Sequence, residues 1–278
     1  MSNSYKTVAS ILKATQPINE YLVNAEKYYA HVSPKNSVQQ KEPETLQQHI
    51  ELVQKKFELL AHYHGLDKVI DNLIHDFLQN HRLENEHKLG NFLKRLFVNT
   101  IVFHDFGKIN ENFQASSEKM NNPYFQGKGN DKSIISTHHS SLGAYLFIVK
   151  HISDAEIEVN ANHKPISMLA VLMFSYSIFK HHGKYLNDEY KDKIYFSAEE
   201  VACMKTYIDA YQYMIPAPIA EIMPIHLKKA FEQLEAANLF KSFSLYSLVR
   251  LSFSLLTASD YLASGEYMTG YEVKDFGI

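Results

Sequence analysis

Apolar residues recur every three or four positions along most of the chain, and this helical period constrains the fold more than any other feature. The clearest stripe consists of Leu46, Ile50, Val53, Phe57 and Leu60, as expected for a helix that buries one face. The same period predicts further helices over residues 69–78, 92–102, 139–152, 165–182, 198–213, 224–238 and 242–264. Strand-like alternation is nearly absent, and only ten glycines and eight prolines occur in 278 residues. We therefore predict an all-α fold with a single domain.

The regions between these stripes predict shorter elements and two loops. We expect short helices over residues 8–12 and 20–29, a loop over 34–43 and a long surface loop over 114–137, where turn-forming residues are densest. The predicted domain spans the whole chain, with a core over residues 28–264, an N-terminal extension over 1–27 and a tail over 265–278.

Composition excludes several classes of protein and site. The one cysteine, Cys203, excludes a disulfide framework and a thiolate zinc cluster. The net charge of −3 argues against a generally basic nucleic-acid coat, so any nucleic acid must be bound by a local site. The N-terminus lacks a signal-peptide pattern, and the most apolar run, residues 166–179, is too short to span a membrane. We expect a cytoplasmic protein without membrane contact.

Histidine is the residue type in excess, with fifteen copies, and it is the commonest metal ligand. Candidate ligands lie on apolar stripes or at predicted helix ends: His49, His104, Asp105, His139, His181, His182 and Asp260. Each one alone is more often a buried structural histidine, a helix cap or an ion-pair partner than a ligand, so the hypothesis depends on the set. Imidazole and carboxylate ligands without thiolate suit Mn²⁺, Fe²⁺, Co²⁺, Ni²⁺ or Zn²⁺.

The doublet His104-Asp105 suggests two ions, because adjacent helical residues point about 100° apart. Its imidazole could bind one ion while its carboxylate bridges that ion to a second one. Two divalent ions would outweigh two aspartates and leave a positive site suited to a phosphate group. Lys108 lies within one turn of the doublet and could meet that phosphate. Other lysines near the motifs could form a basic rim: Lys128, Lys132, Lys180 and Lys184.

The combined pattern resembles a known family. It contains His104-Asp105-Phe106-Gly107-Lys108 with Phe113-Gln114 downstream, His139 followed by Gly143-Ala144, His181-His182-Gly183, and Asp260. This pattern is similar to the HD nuclease domain of the type I CRISPR-associated helicase–nuclease, within the HD phosphohydrolase superfamily. The resemblance covers residues 28–264. It implies that His49, His104, Asp105 and Asp260 hold one ion, that Asp105, His139, His181 and His182 hold the other, and that Asp105 bridges them.

The resemblance also implies a reaction and partners. The reaction would be two-metal hydrolysis of phosphodiester bonds in single-stranded DNA, with Asp105 and Lys108 as catalytic residues and Mn, Fe, Co or Ni as the metal, Mg or Zn being alternatives. The strand would come from a type I CRISPR surveillance complex. A superfamily 2 helicase would act in cis or in trans, since the chain has no GxxxxGK[ST] motif. Two alternatives stay open: an HD nucleotide phosphohydrolase, and a catalytically degenerate HD adaptor module.

Overall fold

The computed structural model describes residues 5–15, 17–34, 40–83, 86–127, 137–183, 198–208 and 242–273. Its α-helices are α1 (Val8–Ala14), α2 (Ile18–Tyr21), α3 (Leu46–Tyr63), α4 (Leu66–Asn80), α5 (His87–Phe103), α6 (Glu111–Ala115), α7 (His139–Glu158), α8 (Lys164–Lys180), α9 (Ala198–Lys205) and α10 (Phe243–Thr269). Two short strands, β1 (Tyr29–His31) and β2 (Glu44–Thr45), form an antiparallel pair. The all-α prediction is confirmed. The helix predicted over 224–238 lies outside the described residues.

The core forms where α5 and α8 pack on each other, with α7 and α10 against both. Every residue from Leu96 to Phe103 and from Leu169 to Ile178 is buried. Both segments are apolar on nearly all sides, as expected for helices that are surrounded by other helices. The length and hydropathy needed to cross a membrane are met by none of the described helices.

Helix α3 begins with a capping box that sets the position of His49. The Thr45 side chain accepts a hydrogen bond from the backbone N–H of Gln48, and the Gln48 side chain reaches back to the backbone of Thr45. This exchange satisfies backbone donors that the first turn of a helix leaves unpaired. Helix α3 thus begins at Leu46, with Thr45 as its cap, and His49 follows Gln48 with its side chain buried.

The prediction of a helix over residues 20–29 was wrong. Helix α2 ends at Tyr21, and Asn24 adopts a left-handed conformation with φ 56°, which ends any continuous helix. A short 3₁₀ turn then leads into β1, which pairs with β2 so that His31 lies opposite Glu44.

The surface loop predicted over residues 114–137 begins two residues later than predicted, after the end of α6, and its described part is anchored by buried side chains. Residues up to 127 contain the end of α6 and a 3₁₀ turn, and both Asn122 and Phe125 are buried. The Gln114 side chain bonds both backbone groups of Tyr29, at 3.0 and 2.9 Å. It also donates to the carbonyl of Lys108 at 2.7 Å and accepts from Asn122. One buried amide therefore holds this segment against β1.

Candidate metal centre

Two helix ends present histidines in the same way. His104 directly follows α5 and His181 directly follows α8. Their Nδ1 atoms lie 2.7 and 2.6 Å from the backbone carbonyls of Ile101 and Ile178, three residues earlier. A carbonyl only accepts, so each Nδ1 carries the proton and each Nε2 keeps its lone pair. A carbonyl in the last turn of each helix thus fixes the tautomer of the ring that follows it.

The carboxylate of Asp105 lies between two groups of imidazoles. Its Oδ2 lies 3.3 Å from Nε2 of His49 and 3.4 Å from Nε2 of His104. Its Oδ1 lies 3.2 Å from Nε2 of His139 and 3.6 Å from Nε2 of His181. The two oxygens therefore face different sets of nitrogen atoms, as a bridging carboxylate requires.

The remaining two candidates complete these sets. Oδ1 of Asp260 lies 3.2 Å from Nε2 of His49 and 4.0 Å from Nε2 of His104. On the other side, Nε2 of His182 lies 2.8 Å from Nε2 of His139, and His182 is the most exposed member of its set. The structure thus brings together all seven residues that the sequence nominated, from α3, α7, α10 and the ends of α5 and α8.

Positive charge is favoured around the carboxylates. Burial by itself raises the pKa of Asp105, yet the Lys108 ammonium and the imidazoles around it hold that pKa well below its usual range. Burial lowers the pKa of His49, but contacts with Asp105, Asp260 and Glu44 raise it to about 10. A buried imidazole that three carboxylates hold in its charged form marks a place where a cation would be stabilised.

Two imidazoles of the other set, those of His139 and His182, are neutral at pH 7. Burial lowers the pKa of His139 to about 4, although its contact with Asp105 opposes the change. Burial and the neighbouring histidines lower the pKa of His182 to about 3. A neutral imidazole has a free lone pair, which is the form that binds a metal ion.

The site contains buried polar atoms that fit a metal ion. Nε2 of His104, Nε2 of His181 and Oδ1 of Asp105 have no hydrogen-bond partner among the described residues. Leaving such groups unpaired in a protein interior is costly. Five imidazoles and two carboxylates without thiolate form a donor set for divalent transition metals, so the residues fit the ions that the sequence implied.

Two glycines let α7 approach the turn after Asp105. A Cβ on Gly107 would lie 1.8 Å from the carbonyl oxygen of His139, and a Cβ on Gly143 would lie 3.1 Å from the carbonyl oxygen of His104. The missing side chains therefore allow the backbones to touch. This contact places His139 beside Asp105.

The Lys108 side chain is buried, and its ammonium group contacts other groups of the protein. Its Nζ is 2.7 Å from Oδ2 of Asp105 and donates to the carbonyl of Ala30 at 3.1 Å. The ammonium thus neutralises the central carboxylate, and its contact with a substrate phosphate stays a prediction. Lys180 lies over the rings of Tyr176 and Phe179. Three further lysines predicted to bind substrate lie outside the described residues: Lys128, Lys132 and Lys184.

Sequence reasoning missed Glu44 and His31. Oε2 of Glu44 lies 2.7 Å from Nδ1 of His31 and 3.2 Å from Nδ1 of His49. The sequence pattern gave neither residue a role in the site. The available signal was an acidic residue just before the cap of a helix whose first residues include a candidate ligand.

An all-α fold with a buried His-Asp doublet that gathers further histidines and an aspartate is the arrangement of HD-type metal-dependent hydrolases. A family model described as "Cas3, HD domain" matches residues 35–269, so the chain belongs to the Cas3 HD-domain family. This confirms the resemblance to the metal-dependent HD nucleases of CRISPR systems and implies a DNA substrate. Searches of curated proteins and of solved structures gave no match.

Proposed function

We propose that the chain hydrolyses phosphodiester bonds of single-stranded DNA at a centre of two divalent ions during type I CRISPR interference. The observation that carries the proposal is the position of Asp105, whose two oxygens face separate groups of imidazoles. One ion would be held by His49, His104, Asp105 and Asp260, and the other by Asp105, His139, His181 and His182.

Two ions bound here would polarise the scissile phosphate and activate a water molecule. The residues of the chain orient the ligand atoms and set the charge of the centre. His104 and His181 present fixed lone pairs, and Asp105 keeps the two ligand sets adjacent. With its imidazoles neutral, as metal binding requires, the centre has three carboxylates, Glu44 included, against the ammonium of Lys108, a net charge of −2. Two divalent ions would reverse this to a net charge of +2, which attracts a phosphodiester to a chain that is acidic overall.

Burial of the ligands favours a single strand over a duplex. His49 and His104 have no exposed surface, and Asp105 is 1% exposed. A flexible strand can bend a phosphate towards buried ligands, whereas a duplex holds its phosphates on a stiff, wide cylinder. A superfamily 2 helicase in cis or in trans, acting on a strand exposed by the type I surveillance complex, would supply such a substrate.

The test is incubation of the purified chain with Mn²⁺ or Ni²⁺ and three substrates: circular single-stranded DNA, duplex DNA of the same sequence, and a panel of nucleoside triphosphates. Degradation of the circle with little action on the duplex is expected, and Asp105→Asn should abolish it. Turnover of a nucleotide with the circle left intact would favour the phosphohydrolase alternative. No turnover of any substrate, by a chain without bound metal in elemental analysis, would favour the adaptor alternative.

A further inference from the structure

A cluster of the partly buried His31 with the buried Glu44 and His49 lies beside the proposed metal centre. The register of β1 and β2 places His31 opposite Glu44, and His49 comes from the first residues of α3. The Glu44 side chain is 6% exposed, and its Oε2 lies within 2.7 Å of one imidazole and 3.2 Å of the other. Burial of this carboxylate needs a reason, because desolvation of a charge is expensive.

The two ring nitrogens of His49 face opposite sides. Nε2 points to Asp105 and Asp260, and Nδ1 points to Glu44. A neutral imidazole that gives its Nε2 lone pair to a metal must carry its proton on Nδ1. Oε2 of Glu44, 3.2 Å from Nδ1, is the carboxylate oxygen available to accept this proton, although the ring as placed does not align its N–H with that oxygen.

We propose that Glu44 is a positioning residue for the first ion, and that it acts by holding the orientation and the Nδ1–H tautomer of His49. This inference rests on the proposed metal centre. A carboxylate behind a ligating histidine raises the basicity of the ring and restrains its rotation, and losing such a partner typically costs about 10- to 100-fold in metal affinity.

His31 holds Glu44 in place and connects it to the other carboxylate of the same ion. Nδ1 of His31 lies 2.7 Å from Oε2 of Glu44, and its Nε2 lies 3.4 Å from Oγ of Ser264. Ser264 in turn donates to Oδ1 of Asp260 at 3.2 Å. The contacts therefore form a closed ring through His49, and none of them reaches His139, His181 or His182. The effect of Glu44 should be confined to one ion.

An ion within the cluster itself is the competing interpretation, since the three side chains could also serve as ligands. Such an ion would need the Nδ1 lone pair of His49 while Nε2 binds the first ion. The ring would then have to lose its only remaining proton. The positioning role requires no such deprotonation, so it is the interpretation that the geometry favours.

The experiment is a Mn²⁺ titration by calorimetry, with free Mn²⁺ followed by electron paramagnetic resonance. It compares the wild-type chain with Glu44→Ala, Glu44→Gln and the control Glu51→Ala, an exposed carboxylate on α3, the helix that carries His49. Glu44→Ala should weaken one of two ions by about 10- to 100-fold and leave the other unchanged. Glu44→Gln keeps an acceptor but loses the charge, so it should weaken the same ion by at least about threefold. The control should match the wild type.

Each other outcome has a defined meaning. If both Glu44 variants bind two ions with wild-type affinity, the positioning role is overturned. A third ion in the wild type that disappears in Glu44→Ala would replace it with an ion site. A wild-type chain that binds no divalent ion would overturn the proposed metal centre together with this role. Glu44→Gln is isosteric, so the test stands even where Glu44→Ala fails to fold.

Discussion

Replacing Gly107 with alanine should push α7 away from the turn that follows the His-Asp doublet. The new Cβ would lie 1.8 Å from the carbonyl oxygen of His139 and 2.5 Å from the backbone nitrogen of Gly143. Ordinary contact begins near 3.4 Å, so the two backbones must separate by about 1.6 Å. Overpacking of this kind costs about 1–3 kcal/mol and occasionally more.

The displaced residue, His139, is itself a candidate ligand. Gly107→Ala should therefore reduce DNA cleavage more than it reduces the stability of the fold. A misplacement of about 1 Å can cost about 100-fold in rate, and we expect at least that loss of DNA cleavage from Gly107→Ala. The affinity for the ion that His139 would hold should fall as well. Both effects arise from one backbone contact and should appear together.

Gly143→Ala is the matched control from the same interface. Its nearest contact would be 3.1 Å, from the carbonyl oxygen of His104, so a shift of a few tenths of an ångström suffices. Alanine's better helix propensity, worth about 0.5–1 kcal/mol, offsets part of the strain. Urea unfolding of chelator-treated protein and Mn²⁺ titration would compare the two variants. Wild-type stability and wild-type binding of both ions in Gly107→Ala would refute the reasoning.

Three further predictions concern the centre and its surroundings. Asp105→Ala should lose both ions and all cleavage, because it removes a ligand from each set; retention of either ion in elemental analysis would contradict the bridging role. His49→Ala and His181→Ala should each weaken a different ion in a Mn²⁺ titration, and loss of the same ion from both would show that the sets are wrongly divided. Burial lowers the pKa of His151 from 6.5 to about 3, so between these pH values the unfolded chain binds a proton that the folded chain does not. Stability should therefore fall with falling pH by up to about 1.4 kcal/mol per unit from this group, and His151→Leu should reduce the slope measured by urea unfolding between pH 7 and pH 5.

Much of the fold and of the candidate centre could be predicted from the sequence, because both depend on helical period. The stripe from Leu46 to Leu60 fixes which face of α3 is buried, and His49 lies on that face. The same reasoning applies to Asp260 among the apolar residues of α10. A histidine or an aspartate in such a position is expensive to bury unless a cation meets it. The candidate ligands could therefore be predicted from their positions on apolar stripes, before their neighbours in the fold were known.

The remaining features could not be predicted, because they depend on contacts between distant segments that leave no periodic pattern in the sequence. Strands of three and two residues are too short to show alternation, so the contact between His31 and Glu44 left no pattern. Gln114 and Asn122 have the composition of a loop, yet their amides bond residues distant in sequence, Tyr29 of β1 and Lys27 of the preceding 3₁₀ turn. Such bonds depend on the tertiary arrangement and not on local propensity.

The two contacting side chains His49 and Asp260 are 211 residues apart in the chain. An ion shared between them would act as a reversible crosslink that closes most of the polypeptide into a loop. Ligand binding to the folded state stabilises it by about 4.1 kcal/mol at a free concentration 1,000 times the dissociation constant. Transient opening would then become about a thousandfold rarer. The lifetime of this domain against proteases should therefore rise and fall with the supply of metal in its surroundings.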